Sequence, residues 1–196
     1  LAEPEFTLGQ GGAQLWKIRG GDEARAARVQ KPETVCWDRD VKSVAFDPQG
    51  KTLACGTGRG EVVLWDVGGR RMASSLLGHA STVNALGFDA QGTSLASASS
   101  DGTVRIWDVA HPANRPLVLA GHTSWVWSVA HAKDPDRGEL WISAGEDGTV
   151  RFWPANSKLL AKAVCALVSR RLTEGEWKRY MPEDLPYDPA GPCPAP

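Results

Sequence analysis

The sequence lacks an excess of either charge, since 22 lysines and arginines stand against 23 aspartates and glutamates. It therefore has neither the basic character of a nucleic-acid-binding domain nor the charge excess of a disordered tail. It also lacks any apolar run near the roughly 18 residues that a membrane-spanning helix needs. No basic or apolar leader opens the chain, so no signal peptide is expected. We expect neither a nucleic-acid partner nor a membrane partner.

Cysteine is sparse, and its spacing excludes the common metal sites. The four cysteines form no CxxC pair: Cys36, Cys55, Cys165 and Cys193. The four histidines fall in different stretches, unclustered with cysteines or carboxylates: His79, His111, His122 and His131. We predict no metal site, no cofactor, four reduced thiols and a cytoplasmic location.

Tryptophan and glycine, in contrast, are plentiful, with nine and 21 residues. Four tryptophans each end a short β-type run (QLW, VVLW, VRIW and VRFW): Trp16, Trp65, Trp107 and Trp153. Their separations of 49, 42 and 46 residues bracket the roughly 40–45 residue period of a four-stranded propeller blade. The spacing therefore predicts repeated β-sheet units.

Each repeat predicts the same order of strands and turns. Val41, Val83 and Val126 open apolar stretches, and the turns DPQG and DAQG follow the first two of them. Asp101-Gly102 and Asp147-Gly148 then separate two further apolar runs, which is a strong hairpin signal. Alternating strands, TVRIW and TVRFW, end the units, and helical periodicity is absent until after Trp153.

The run from Gly78-His79 through Ser97 and Asp101-Gly102 to Trp107-Asp108 resembles a WD-repeat (WD40) unit almost residue for residue. A second match runs from Gly121-His122 to Trp153, where Pro154 replaces the Asp of the WD pair. A weaker third, Val41 to Val67, has Trp37, Cys55 and Arg59 at the His, Ser and turn Asp positions. The opening residues to Trp16 resemble the tail of a fourth unit.

The resemblance implies an all-β fold, a WD40 β-propeller that is incomplete, with about three and a half blades of four-stranded antiparallel sheet. We place the propeller at 1–155 and a short helical, proline-rich C-terminal extension at 156–196. The blades are predicted at 1–20 (partial), 37–70, 77–111 and 119–154. Propellers close with about four to eight blades. Because the chain opens within a repeat, we expect the remaining blades upstream in a longer chain; assembly of two chains is the alternative.

A recurring His, Ser, Asp and Trp set carries the most chemistry in the repeats. Two copies occur: His79, Ser97, Asp101, Trp107 and His122, Ser143, Asp147, Trp153. The members are those of a nucleophilic triad. However, the set recurs in each intact unit without a nucleophile elbow, and in WD repeats it resembles a hydrogen-bonded chain that ties the strands of one blade together. We interpret both sets as structural and predict no catalytic residue.

A second motif, AFDPQGKT at 45–52, loosely matches a phosphate-binding loop. That chemistry needs a glycine-rich loop that leads into a helix. Here the residues that follow, Leu53 to Cys55, are predicted as a strand, and the equivalent turn FDAQGTSLA has no lysine. We therefore reject nucleotide binding at this motif.

The resemblance also implies which loop residues face the rim of the central channel. The residues that open each innermost strand and those before the turn Asp form the candidate partner-binding rim: Asp40, Thr82, Trp125, Ser100 and Glu146. Trp125 is either an exposed interface anchor or packed against the neighbouring blade. Trp127 lies on the same side of the strand and is predicted to be buried.

After Trp153 the pattern becomes helical. An apolar stripe in KLLAKAVCALVSRRL predicts one helix, and the capping box Thr173-Glu174-Gly175-Glu176 predicts a second, ended by Pro182. The string from Cys165 to Cys193-Pro194 resembles the end of bacterial multidomain proteins in which a STAND-type signalling ATPase or another effector precedes a WD-repeat propeller. A Cys165–Cys193 disulfide is conceivable, although free thiols are favoured.

These observations predict a protein-interaction scaffold rather than an enzyme, with protein partners. The leading hypothesis is the sensor or partner-binding end of a bacterial signalling protein. The alternative is a stand-alone WD40 scaffold, and an enzyme with a site at the channel mouth is the third hypothesis.

Overall fold

A computed structural model of the chain describes residues 12–15, 33–37, 39–135, 138–155 and 173–180. Antiparallel β-sheet makes up most of this part. A strand pair comes first, followed by two four-stranded sheets and a three-stranded sheet. We call the strand pair the partial blade and the three larger sheets blade 1, blade 2 and blade 3.

Within each blade the strands follow one another in chain order, as in a meander. The partial blade consists of β1 (Ala13–Leu15) and β2 (Glu33–Val35). Blade 1 consists of β3 (Val41–Phe46), β4 (Thr52–Thr57), β5 (Val62–Asp66) and β6 (Arg71–Leu76). Blade 2 consists of β7 (Val83–Phe88), β8 (Ser94–Ser99), β9 (Thr103–Asp108) and β10 (Leu117–Ala120). Blade 3 consists of β11 (Val126–Asp134), β12 (Gly138–Gly145) and β13 (Val150–Pro154).

Turn chemistry sets the lengths of the strands. Asp47 Oδ1 accepts hydrogen bonds from the backbone amides of Lys51 and Thr52 at 2.7 and 3.0 Å, which closes the turn between β3 and β4. Asp89 does the same between β7 and β8. Gly50 and Gly92 take positive φ angles of 67° and 75° in these turns, a conformation that side chains disfavour.

The hydrophobic core lies between adjacent blades. One cluster joins Ala54, Leu64 and Leu76 of blade 1 to Leu95 and Trp107 of blade 2. A second joins blade 2 to blade 3, and a third joins the partial blade to blade 1. Because β4 and β8 have a blade on each side, they are buried along nearly their whole length, which explains their continuous apolar or small-residue sequences.

Two faces of this stack are exposed in the described structure, one on β3 beside the two-stranded partial blade and one on β13. Val44 and Phe46 on β3 and Val150 and Phe152 on β13 are about half exposed or more. Val104, which occupies in β9 the place that Val150 has in β13, is fully buried against blade 3. The predicted fold class, an incomplete propeller, is confirmed.

A short helix, α1 (Glu174–Tyr180), follows the sheets in sequence. It begins directly after Thr173, where the capping box predicts a start, and Lys178 Nζ lies 2.7 Å from Glu174 Oε1. No helix in the described residues has the length and apolarity to cross a membrane. The helix predicted before Thr173, the proline-rich tail, Cys165 and Cys193 lie outside the described residues.

Blade tethers and the candidate partner-binding rim

In blade 2, the four predicted side chains form one continuous hydrogen-bonded chain. His79 Nδ1 lies 2.8 Å from Asp101 Oδ2, and His79 Nε2 lies 2.8 Å from Ser97 Oγ. The indole Nε1 of Trp107 donates to the same Ser97 Oγ at 2.8 Å. The chain links the loop before β7 to β8 and β9, so it ties this loop to two strands of the blade.

The protonation states follow from the surroundings. Burial raises the pKa of Asp101, but hydrogen bonds from Thr103, the Ala80 amide and His79 outweigh this effect and lower the pKa to about 2. Burial lowers the pKa of His79, although its hydrogen bond to Asp101 acts in the opposite direction. Because an ionised carboxylate only accepts hydrogen bonds, Nδ1 of the neutral imidazole carries the proton and Nε2 accepts from Ser97.

This arrangement has the members of a nucleophilic triad but not its accessibility. Ser97 is completely buried, and one lone pair of its Oγ accepts the Trp107 N–H. A substrate carbonyl needs an open approach to the nucleophile within about 3–3.5 Å. A buried polar chain in which every member has a partner instead rigidifies the fold.

Blade 3 carries the same chain at the predicted positions. His122 Nε2 lies 2.9 Å from Ser143 Oγ, and Trp153 Nε1 donates to that oxygen at 2.8 Å. His122 Nδ1 lies 2.9 Å from Asp147 Oδ2. Burial raises the pKa of Asp147, but hydrogen bonds from Thr149, the Thr123 amide and His122 outweigh it and lower the pKa well below its usual range.

Blade 1 is tethered differently. Cys36 and Cys55 form a disulfide with their Cα atoms 6.5 Å apart, so the prediction of reduced thiols is wrong for these two residues. Trp37, at the position of the tether histidine, is 64% exposed and takes no part. Sequence comparison of the repeats carries the signal for this pair, because Cys36 aligns with Gly78 and Cys55 with Ser97.

The predicted rim residues are brought together in pairs by one repeated backbone contact. The amide of Glu146 donates to the carbonyl of Trp125 at 2.8 Å, and the amide of Ser100 donates to that of Thr82 at 2.9 Å. In blade 1 the equivalent contact joins Gly58 to Asp40 at 2.8 Å. Each pair connects the start of the innermost strand to the hairpin between the second and third strands.

Contacts between blades also cross the rim. The side chain of Asn84 donates 2.9 Å hydrogen bonds both to Ser100 Oγ and to the carbonyl of Val126 on blade 3. The Thr82 hydroxyl donates to the carbonyl of Gly58 on blade 1 at 3.2 Å. The sequence does not single out Asn84, because nothing local distinguishes it from a solvated polar residue.

Two tryptophans stand out on the rim of blade 3. Trp125 and Trp127 are each 48% exposed, and their rings meet edge to face with centroids 5.3 Å apart. The predicted burial of Trp127 is therefore wrong. A β-bulge between Val126 and Ser128 removes Trp127 from the ladder and turns its side chain outward. Beside them, the Ser124 hydroxyl donates to Glu146 Oε2 at 2.6 Å.

The sequence spacing indicated that the histidines are not clustered with carboxylates. In the structure, however, each histidine contacts one. Each of the four lies within 3 Å of one carboxylate oxygen: His79 of Asp101, His111 of Asp108, His122 of Asp147 and His131 of Glu139. These contacts are pairs, because no three potential metal ligands gather among the described residues.

The turn at 47–52 likewise has its own structural explanation. The Asp47 carboxylate accepts from the amides of Lys51 and Thr52, and the chain continues directly into β4. A phosphate site of the loop type needs those amides free at the start of a helix.

Stacked antiparallel blades, hydrogen-bonded tethers and paired rim loops define the chain as a propeller-type repeat protein. A family model described as WD domain, G-beta repeat matches residues 31–66, 70–108 and 114–154, more than half of the chain. The chain belongs to this family. Its repeats make it a protein-interaction scaffold module, and domains of this family are typically non-enzymatic.

Proposed function

We propose that the chain binds a protein partner at the rim through Trp125, with Glu146 and the neighbouring rim residues Asp40, Thr82 and Ser100 completing the surface. The observation that supports this most is the exposed edge-to-face pair of Trp125 and Trp127. Exposed tryptophans of this kind dominate the binding energy of many protein interfaces. Both lie at the start of β11, which the Glu146–Trp125 backbone contact ties to the hairpin between β12 and β13.

Preorganisation of the rim favours this role. The Asn84 side chain fastens the rim of blade 2 to that of blade 3, and Thr82 fastens blade 2 to blade 1. A partner therefore meets loops that are already ordered, which reduces the entropy lost on binding.

A pair of alanine variants tests the proposal. Trp125→Ala is compared with Met72→Ala, a control on β6 with the same 48% exposure but away from the rim. Affinity purification of the full natural chain identifies co-purifying proteins, and binding is then measured with each purified candidate. We expect Trp125→Ala to weaken at least one interaction roughly 30-fold, as loss of an anchor does. Equal partner binding by both variants would refute the rim assignment.

We further propose that the propeller is the sensor or partner-binding end of a bacterial STAND-type signalling protein. This rests on the C-terminal string from Cys165 to Pro194. A stand-alone scaffold is the alternative. Reading the coding region upstream separates the two, because only the first requires a true phosphate loop followed by a helix.

The exposed faces of the stack support a longer propeller, with its remaining blades upstream of the described ones. Val44 and Phe46 on β3 and Val150 on β13 hold places that inter-blade contacts bury wholly or partly within the stack. A longer natural chain is expected to be monomeric and to bind little hydrophobic dye. Self-association of that longer chain through these faces would favour assembly of two chains instead.

The division into a propeller at 1–155 and an extension at 156–196 is part of the same proposal, and limited proteolysis checks it. A cytoplasmic location also stays a prediction. The argument from four reduced thiols no longer supports it, because Cys36 and Cys55 form a disulfide. Disulfides persist mainly in oxidising compartments. Thiol labelling of the protein in intact cells tests it.

A further inference from the structure

Cys36 and Cys55 hold the places in blade 1 that Gly78 and Ser97 hold in blade 2. The interval from Cys36 to Gly78 equals that from Cys55 to Ser97, 42 residues in each case. The strand register agrees, because Cys55 pairs with Val63 as Ser97 pairs with Arg105. The disulfide therefore joins the loop before β3 to β4, as the His79–Ser97 hydrogen bond joins the loop before β7 to β8.

A cysteine fits at position 36 because its neighbour on β5 is smaller than the corresponding residue of blade 2. In blade 2 a Cβ at Gly78 would lie 2.6 Å from Arg105 Nη1 and 3.3 Å from Trp107 Cη2, so a larger residue would require the Arg105 side chain to move. Blade 3 repeats this restriction at Gly121. Blade 1 has the shorter Val63 where blade 2 has Arg105, and this leaves room for the Cys36 side chain.

The backbone conformation of the loop before β3 turns the Cys36 side chain toward Cys55. Cys36 has a positive φ of 50°, which is unusual for a residue with a side chain. With Cys36 turned inward and almost fully buried, Trp37 lies outside at 64% exposure, whereas His79 is buried. Blade 1 thus lacks both the imidazole and the serine hydroxyl that bond to each other in blade 2.

The outer half of the tether is also replaced. The Arg39 guanidinium donates to the Glu61 carboxylate, and the Ser75 hydroxyl donates to that same carboxylate. This contact links the loop before β3 to the start of β5, as the His79–Asp101 contact links the loop before β7 to the start of β9. It lies partly at the surface, where ion pairs contribute little to stability. The disulfide is therefore the main link.

We propose that the Cys36–Cys55 disulfide is the tether of blade 1 and makes this blade, but not blades 2 and 3, dependent on redox state. A dithiol reductant attacks one sulfur as a thiolate, forms a mixed disulfide and closes to its own cyclic disulfide. Two electrons pass to the protein, and Cys36 and Cys55 leave as thiols. Trp37 lies at the surface, unlike the buried His79, and is not placed to replace the lost link to Cys55.

The first measurement establishes the bond. Protein purified under alkylating conditions is digested with trypsin, which cleaves between the two cysteines at Arg39, Lys42 and Lys51. Mass spectrometry is expected to show a Cys36–Cys55 cross-linked peptide that disappears on reduction. Full alkylation of both residues without reduction would overturn the proposal.

The second measurement locates the effect of reduction. Hydrogen exchange is followed in the full natural chain, with Cys165→Ser and Cys193→Ser introduced to remove other redox chemistry. Reduction is expected to speed exchange in β4 at least tenfold while β8 is unchanged. The melting temperature is expected to fall by roughly 6–12 °C, from the effect of a disulfide loop of this size. Equal exchange in β4 before and after reduction would overturn the proposal.

A rescue variant separates a tether from a general staple. Cys36→Gly, Trp37→His, Cys55→Ser and Arg59→Asp together rebuild in blade 1 the residues that blade 2 has at these positions. The melting temperature of this variant is expected to lie within a few degrees of that of the oxidised protein and to be the same with and without reductant. Cys36→Ala with Cys55→Ala serves as the unlinked control and is expected to exchange in β4 like the reduced protein. An unlinked control as protected as the oxidised protein would contradict the tether role.

Discussion

Blade 1 and blade 2 have the same number of strands and nearly the same register, yet different chemistry holds their loops. Blade 2 uses a neutral imidazole between a carboxylate and a serine hydroxyl, whereas blade 1 uses a disulfide and an ion pair. Both link the loop before the innermost strand to the second and third strands. The comparison teaches that the blade requires a link at this place rather than one particular set of residues.

The largest change in stability is expected when the tryptophan of the third strand is replaced in each blade, Trp107 in blade 2 and Trp65 in blade 1. Trp107→Ala is expected to lower the free energy of unfolding by about 3–5 kcal/mol, because it empties a buried site and removes a hydrogen bond. Trp65→Ala in blade 1 loses burial but no such bond to a serine, so its loss is expected to be about 1 kcal/mol smaller. Urea titration measures both, with the exposed Val118→Ala as control. A larger loss in Trp65→Ala would contradict the account.

Breaking the tether at its centre is expected to have a smaller effect. Ser97→Ala leaves the Trp107 N–H and the His79 ring nitrogen without their shared partner, which costs about 1–3 kcal/mol. Ser143→Ala in blade 3 is expected to match it, because that chain has the same contacts. Urea titration of both variants provides the measurement. A loss below about 0.5 kcal/mol in each would show that the chains do not stabilise the blades.

Acidification distinguishes the blades by their titrating groups. The folded-state pKa of His79 lies below its ordinary 6.5, so its contribution is complete above pH 6.5 and falls as the pH drops toward the folded value. For Asp101 the contribution is complete above its ordinary 3.8 and falls as the pH drops to about 2. The slope for His79 is expected to reach at most about 1.4 kcal/mol per pH unit.

Unfolding titrations between pH 7.5 and pH 5 measure this slope. His79→Gln is expected to have a flatter pH profile over that range, even though it is less stable throughout. Cys36 and Cys55 do not titrate while bonded, so hydrogen exchange in blade 1 is expected to respond less to acid than exchange in blade 2. An unchanged slope in the variant would refute the assignment of the titration to His79.

The smallest stability change is expected at the rim. Trp125→Ala removes a half-exposed ring that makes no tether contact, so its effect on the free energy of unfolding is expected to stay within about 0.5 kcal/mol. Thermal melting of this variant beside Trp107→Ala makes the comparison. A loss above about 2 kcal/mol would show that Trp125 serves the fold rather than a partner.

The hydrogen-bonded His, Ser, Asp and Trp chains could be predicted from the sequence because each position recurs in two repeats, whereas the backbone pairing of the rim residues could not. His79 and His122, or Ser97 and Ser143, recur at matching places, and repetition fixes their geometry relative to the strands. Trp127 was placed wrongly because strand alternation assumes an uninterrupted ladder, and the bulge beside Val126 breaks it. The sequence does not predict the disulfide, because Cys36 and Cys55 are 19 residues apart and their spacing does not show that the loop before β3 turns Cys36 toward β4.

By itself the sequence determined the strand order, the turns and the family, because these follow from local alternation, from turn aspartates such as Asp47 and from a repeat that recurs. Only the tertiary structure decided which side chains meet across strands and across blades: Cys36 with Cys55, Asn84 with Val126, and Trp125 with Trp127. The physical reason is that such contacts depend on bulges, on the loop backbone and on the volume of neighbours such as Val63. These quantities arise when sheets pack.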